Sequence, residues 1–316
     1  MPCKIIIDTD PGQDDAVAIL LALASPEDFD VLGIVAVAGN VGLKQNARNA
    51  LKVVELSGRT EIPVYAGCAR PLQRKLVTAE YVHGDTGLNG PELPEPKISL
   101  QTQHGVDFII DTIMREETGT VTLCALGPLT NIGMALAKEP AIAERIGQIV
   151  LMGGGYFQMG NITPAAEFNI YVDPEAADNV FRSGIPLIVA SLDVSHQLLT
   201  TKARLAAFRN IGNKTGIAVA DMLDFSEDFD LAKYGWDGAP LHDPCVTAYL
   251  INPALFEGRQ INVTIETKSE LTRGMTVADF WGVTNETDFP RNTFFLSKAN
   301  AEGYYALLTE RLARLP

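Results

Sequence analysis

IIIDTDPGQDDAVAILLAL, Ile5 to Leu23, carries both periodicities on which the fold depends. Ile5, Ile6 and Ile7 are consecutive and β-branched, the composition of a strand buried on both faces. Ala16 to Ala24 is apolar without interruption and suits a buried helix. Between them Asp8, Asp10, Asp14 and Asp15 crowd around Pro11-Gly12. Four like charges at one strand-to-helix turn repel one another unless a cation gathers them.

The same alternation continues along the chain. Apolar runs at Val31 to Gly39, Val121 to Gly127, Gln148 to Gly154 and Pro186 to Asp193 read as further strands. Gln45 to Ser57, Gly105 to Glu116, Leu129 to Ala137 and Pro174 to Arg182 read as helices between them. Strands that are apolar throughout, separated by helices, predict an α/β fold: a doubly wound, mainly parallel sheet flanked by helices. Beyond Asp193 the pattern loosens. Helices are predicted over Thr201 to Ile211, Thr215 to Phe225 and the segment opening at HDPCVTAYL, with the acidic-aromatic stretch Asp224 to Gly238 between the last two. INVTIET (Ile261 to Thr267) and GMTVADF (Gly274 to Phe280) alternate like a small antiparallel pair appended to the sheet at the C-terminal end. No repeat or Gly/Ser linker divides the chain, so residues 1–316 are read as a single domain.

With 25 basic and 39 acidic residues the formal charge is −14, which argues against nucleic acid or an anionic membrane as partner and favours a small-molecule substrate. The N-terminus enters the first strand at once, without a secretory signal, so a cytoplasmic protein is expected. Cys3, Cys68, Cys124 and Cys245 form no C-x-x-C pair and read as small buried hydrophobes.

In an open α/β sheet ligands bind beyond the carboxyl ends of the strands. Asp8 and Asp10, Asn40, the Gly127-Pro128 turn, Met152 with Gly153-Gly154, and Asp193 all fall at such ends. An N-cap role would explain one aspartate of the first turn but not four. Hard carboxylate oxygens with no adjacent His or Cys suit Ca²⁺ or Mg²⁺ rather than zinc. EF-hand spacing is absent. In AAEFNIYVDPEAA, Glu167 and Asn169 are two apart, so on an extended segment both face one side, where a carboxylate and an amide grip adjacent sugar hydroxyls. The glycine loop Gly153 to Gly155 leads to Asn161 without the lysine of a phosphate-binding loop. Among the histidines, His83 and His242 sit in Gly/Pro-rich loops beside acids, whereas His104 and His196 read as structural.

DTDPGQDDAVAI, VAGN, HGDTGLNGP, LGPLTNI, VLMGG, AEFNIYVDPEAA and HDP, in this order, resemble the inosine-uridine nucleoside hydrolase family from about residue 4 to about residue 250. The resemblance implies Ca²⁺ held by Asp10, Asp15, Asp243 and the carbonyl of Leu126, with Asp14 as general base toward a calcium-bound water. It also implies ribose contacts from Asn40, Asn161, Glu167 and Asn169, assistance to the departing base from His242, and His83 and Met152 in the same pocket. Tyr234 matches a base-contacting position of pyrimidine-preferring members. Asp230 stands where those members are expected to carry Gln, which leaves base preference open. The implied activity is hydrolysis of ribonucleosides such as uridine, cytidine and inosine for nucleoside salvage, in a homotetramer.

Two rivals remain at this level. A Mg²⁺-dependent phosphohydrolase would use Asp8 and Asp10 of the strand-end D-x-D. A non-enzymatic, calcium-dependent sugar-binding protein would need the polar cradle but neither Asp14 nor His242.

Overall fold

A computed structural model describes the backbone of residues 1–316 and the side chains of all of them except Asp228 and Asp230. Asp230, singled out above, thus lies outside the described side chains.

The strands, in chain order, are β1 (Cys3–Thr9), β2 (Phe29–Ala36), β3 (Val64–Ala66), β4 (Val121–Ala125), β5 (Gln148–Met152), β6 (Leu187–Ala190), β7 (Leu199–Thr201), β8 (Gly238–Pro240), β9 (Phe256–Ile261), β10 (Val263–Ile265), β11 (Thr276–Ala278) and β12 (Thr293–Ala299). Eight of them form one sheet in the order β3-β2-β1-β4-β5-β6-β12-β9. All neighbours in it are parallel except β12 and β9. In β1 the side chains alternate as strand geometry dictates: Ile5 and Ile7 enter one core cluster and Ile6 the other. The first cluster is covered by helices Gln13–Leu23, Leu43–Ser57, Lys214–Tyr234, Pro244–Ile251 and Ala301–Leu312; the second by Gly105–Arg115, Thr130–Lys138 and Pro174–Phe181. Both faces are therefore dry, and the chain folds as the doubly wound, mainly parallel sheet that its apolar strands predict. Among the described residues no helix is long and apolar enough to cross a membrane.

Two expectations change, and beyond β6 the sheet gains two strands not read from the sequence. The antiparallel pair β10–β11 forms a separate small sheet instead of extending the main one. The main sheet is completed by β12, parallel to β6, and by β9 at the edge. Half-exposed and containing Gly258, β9 (FEGRQI) has too little apolar alternation to announce itself. The helix expected to stop at Phe225 runs on to Tyr234, where Gly235 closes it in the left-handed conformation at φ 65°. No Gly or Pro interrupts residues 217–234, so the acidic-aromatic stretch had no reason to break.

The C-terminal helix, Ala301–Leu312, also supports the site. Its Tyr304 hydroxyl donates to the carbonyl of Leu241, beside His242, at 3.3 Å, and Tyr305 donates to the carbonyl of Leu198 at 3.1 Å.

Phe295 of β12 is fully buried between β6 and β9. Phe295→Ala is expected to cost about 3–5 kcal/mol of stability in urea unfolding, whereas Val277→Ala on the half-exposed β11 should cost under about 1 kcal/mol.

Candidate active site

Four of the parallel strands lead into one cleft. β1 delivers Asp10, β2 leads to Asn40, β4 to the carbonyl of Leu126 and β5 to Met152. β8, paired antiparallel with β7, leads the chain into Leu241-His242-Asp243. Asp10, Asp14, Asp15, Asn40, His83, Leu126, Met152, Asn161, Glu167, Asn169, Tyr234, His242 and Asp243 all line one cleft, which encloses about 960 Å³ with its open mouth included.

At its floor Asp14, Asp15 and Asp243 converge, with one oxygen of each within 4.8 Å of the others. Asp15 is held rigidly: Thr9 Oγ1 donates to it at 2.5 Å, the Gly12 amide at 3.0 Å and Asn40 Nδ2 at 3.2 Å. Burial first, then the neighbouring Asp14 charge, pushes the pKa of Asp15 up; the same two causes raise Asp243 well above the carboxylate range. Asp10 lies outside the convergent triplet. Its Oδ2 accepts from the Asn40 amide at 2.7 Å, while Oδ1 is buried with no partner among the described residues. Its carboxylate slides between two glycines: a Cβ on Gly39 would stand 2.0 Å from one oxygen, and a Cβ on Gly127 2.1 Å from the other. An unsatisfied buried carboxylate oxygen beside three converging carboxylates is a donor set that can hold a metal ion.

Glu167 and Asn169 do converge, but not on an extended segment. Glu167 caps the short helix Phe168–Val172 and accepts from the amides of Asn169, Ile170 and Gly154 at 2.9, 3.2 and 3.0 Å. Free N–H groups at a helix start attract a carboxylate, and this overrides the extended reading. Burial raises Glu167 to about 7 despite those three donors. Asn169 Nδ2 donates to the carbonyls of Leu126 at 2.7 Å and Met152 at 3.2 Å, which fixes the amide. The Asn161 side chain accepts from the Phe168 amide at 2.9 Å, and its own carbonyl accepts from Lys233 Nζ at 2.7 Å.

The rest of the lining contributes aromatic and imidazole rings. The long helix contributes Leu223, Ser226, Phe229, Lys233 and Tyr234 at helical spacing, and Tyr234 stacks on Trp236 with ring centroids 4.3 Å apart. His242 Nδ1 meets Ser195 Oγ at 2.8 Å, and His83 Nδ1 meets Gln13 Oε1 at 2.6 Å. Burial lowers His242 to about 4 and also lowers His83, against the pull of the Asp14 and Asp15 charges, which disfavours the cationic form of both rings.

A family model described as inosine-uridine preferring nucleoside hydrolase matches residues 5–306. The chain belongs to that family. It is 47% identical over 314 residues to a pyrimidine-specific ribonucleoside hydrolase, RihA, of Photobacterium profundum, covering 99% of each chain. It is 50% identical over 313 residues to an uncharacterized protein of Schizosaccharomyces pombe, covering 99% of this chain and 100% of that one. Among solved structures a plant nucleoside hydrolase superposes with a TM-score of 0.92 at 32% identity, covering 99% of each chain. The protein is an N-glycosidase, a ribonucleoside hydrolase.

Sequence reading missed several cleft residues of this nucleoside hydrolase. His196, taken as structural, lines the cleft with its ring centroid 4.9 Å from Trp236 and 5.8 Å from His242. Its position follows from the tertiary packing of a short helix, Leu192–Ser195, and carries no local signal. Phe229 and Lys233 lie on the part of the long helix beyond Phe225, and Tyr81 on a one-turn helix, Glu80–His83, too short to carry a periodic signal. Gln13 was masked by the aspartates beside it. His104, by contrast, is the N-cap of Gly105–Arg115 and accepts from the Val106 amide. Asp193, expected at the rim, instead organises the glycine loop by accepting from the amides of Tyr156, Phe157 and Gln158.

Asp8, the residue on which a phosphohydrolase would depend, does not line the cleft. It is buried against Asn131, which donates to it at 2.8 Å, and burial lifts its pKa to about 8. The folded protein thus keeps a proton on Asp8 that the unfolded chain releases near pH 4, so this group withdraws stability as pH rises from about 4 to about 8. Asp8→Asn should retain hydrolase activity and lose less stability between pH 5 and pH 8 than the wild type in urea titrations. A wild-type pH slope in the variant would contradict the buried-proton assignment. Gly127→Ala, which drives a methyl into the Asp10 carboxylate, should leave the circular dichroism unchanged and lower hydrolase turnover by at least about tenfold, as expected when an ångström-scale shift disturbs a positioned group.

Proposed function

We propose that this chain is a calcium-dependent ribonucleoside N-ribohydrolase of nucleoside salvage, acting on uridine, cytidine and inosine and releasing free base and ribose. The observation that carries this reading is the convergence of Asp14, Asp15 and Asp243 in a cleft that is also lined by Tyr234, His83 and His242. The 47% identity with a pyrimidine-specific RihA supports pyrimidine nucleosides as the preferred class. A family match from residue 5 to residue 306 supports one hydrolase domain. Four unpaired cysteines accord with a reducing cytoplasm. An exposed aromatic cluster, in which Phe157 and Trp281 both pack on Phe280, supports self-association, for which we propose a tetramer.

Asp10, Asp15, Asp243 and the carbonyl of Leu126 are the groups assigned to Ca²⁺, whose adaptable oxygen coordination suits carboxylates on several loops. When bound, the ion supplies charge that orients a water and lowers its pKa. Asn40, Asn161, Glu167 and Asn169 hold the ribose, and Asp14 and Asp243 meet its 2′- and 3′-hydroxyls. Asp14 takes the proton of water as its oxygen forms a bond to C1′ and the C1′–N bond breaks, its electron pair leaving with the base. Positive charge develops on the ribose between these carboxylates, which stabilise it, and attack in a single step inverts the anomeric carbon. His242 assists the departing base as a neutral ring.

Purified protein should release free base and reducing sugar from uridine, cytidine and inosine, and excess chelator should abolish release until Ca²⁺ is restored. Asp14→Asn should lower kcat by about 10²- to 10⁴-fold with a smaller change in KM. Turnover that survives complete chelation sinks the metal assignment. Nucleoside affinity without turnover in the wild type would favour the sugar-binding rival.

A further inference from the structure

We infer that the two cleft histidines are locked in opposite tautomers, His242 by Ser195 and His83 by Gln13, so that one offers a hydrogen-bond donor and the other an acceptor.

The assignment is a matter of counting protons. Gln13 Nε2 donates to two backbone carbonyls, His83 at 3.0 Å and Asn89 at 3.2 Å, so both amide hydrogens are committed. The amide cannot turn over without placing its oxygen against those two carbonyl oxygens. Gln13 Oε1 is therefore the atom facing His83 Nδ1 at 2.6 Å, and Nδ1 must carry the hydrogen. A neutral His83 then has a bare Nε2, an acceptor. Gly12 keeps the ring in place, because a Cβ there would stand 2.6 Å from Nδ1.

Ser195 works in the opposite sense. Its side chain is fully buried, and among the described residues His242 Nδ1 at 2.8 Å is its one hydrogen-bond partner. A buried hydroxyl must place its hydrogen on an acceptor, so Ser195 donates and Nδ1 accepts. The single proton of His242 sits on Nε2. Were the ring cationic, Ser195 would have to accept instead and its own hydrogen would be orphaned.

On the hydrolase reading, from which the role of His242 is taken, the consequence is directional. As the C1′–N bond breaks, electron density flows into the base and onto its carbonyl oxygen and ring nitrogens. A fixed Nε2–H donor strengthens its bond to such an acceptor as the charge grows. The other tautomer would present a lone pair and repel it. Ser195, which does not line the cleft, is thus a positioning residue acting through His242.

The test uses the intact protein with ¹⁵N-labelled histidine, each of the four ring systems assigned by single replacement. Long-range ¹H–¹⁵N correlation at neutral pH should show His242 as the Nε2–H tautomer and His83 as the Nδ1–H tautomer. Identical tautomers, or a cationic ring at either position, overturn the inference. Ser195→Ala should lower kcat on uridine by about ten- to a hundredfold, part of the range for acid–base assistance, with KM little changed. It should retain turnover of 4-nitrophenyl riboside, whose phenolate departs unaided, and Ser195→Thr should restore uridine cleavage. Equal loss on both substrates overturns the positioning role. Wild-type protein inert toward nucleosides and aryl riboside alike would refute the proposed function instead, while the tautomers are still decided by the spectra.

Discussion

The mutual repulsion of carboxylates buried at the end of one parallel sheet is the constraint around which this molecule is arranged. Asp10, Asp15 and Asp243 are almost fully removed from water, and Asp14 shares their space. Burying even one anion is costly. The protein offsets part of that cost locally, with hydroxyl and amide donors from Thr9, Gly12 and Asn40 aimed at Asp15 and Asp10. It leaves one oxygen of Asp10 unsatisfied, and two glycines admit the carboxylate where any side chain would collide. What the donors leave uncompensated is a site for a cation.

Groups of a different chemistry share the cleft with that charge. A ribose that develops positive charge belongs against carboxylates, whereas a base that carries away an electron pair needs hydrogen bonds and an apolar face. On the proposed function one cleft supplies both. Residues at and just beyond the strand ends supply carboxylates, while the long helix and the segment after β8 supply aromatic rings and the His242 imidazole. Burial that lifts Glu167 toward 7 also depresses His242 to about 4, so one low-dielectric environment disfavours the charged form of both acid and base.

Positions remote from the cleft in sequence hold this arrangement. Tyr304 and Tyr305 of the last helix brace the chain at Leu241 and Leu198, beside the β7–β8 pair that leads to His242. β12, deep in the sheet, joins the C-terminal region to the same core as β1. The segment after Asn252, which adds only apolar patterning to a sequence reading, thereby takes part in placing the site.

By itself the sequence determined the doubly wound architecture and most of the polar groups in the cleft. Three consecutive isoleucines can be satisfied only with both faces of their strand covered, and four aspartates at one turn have no bland explanation. These signals are local, carried by residues adjacent in the chain. Only the tertiary structure decided which carboxylates converge, that Glu167 caps a helix instead of pointing from a strand, and that His196 reaches the cleft. It also decided that Asp8 points away, into the core beside Asn131. Asp8 turns to a donor on Asn131, 123 residues away, and Glu167 takes one of its three from Gly154, 13 residues upstream. Composition and periodicity say that a group is polar or apolar; only packing says which partner satisfies it.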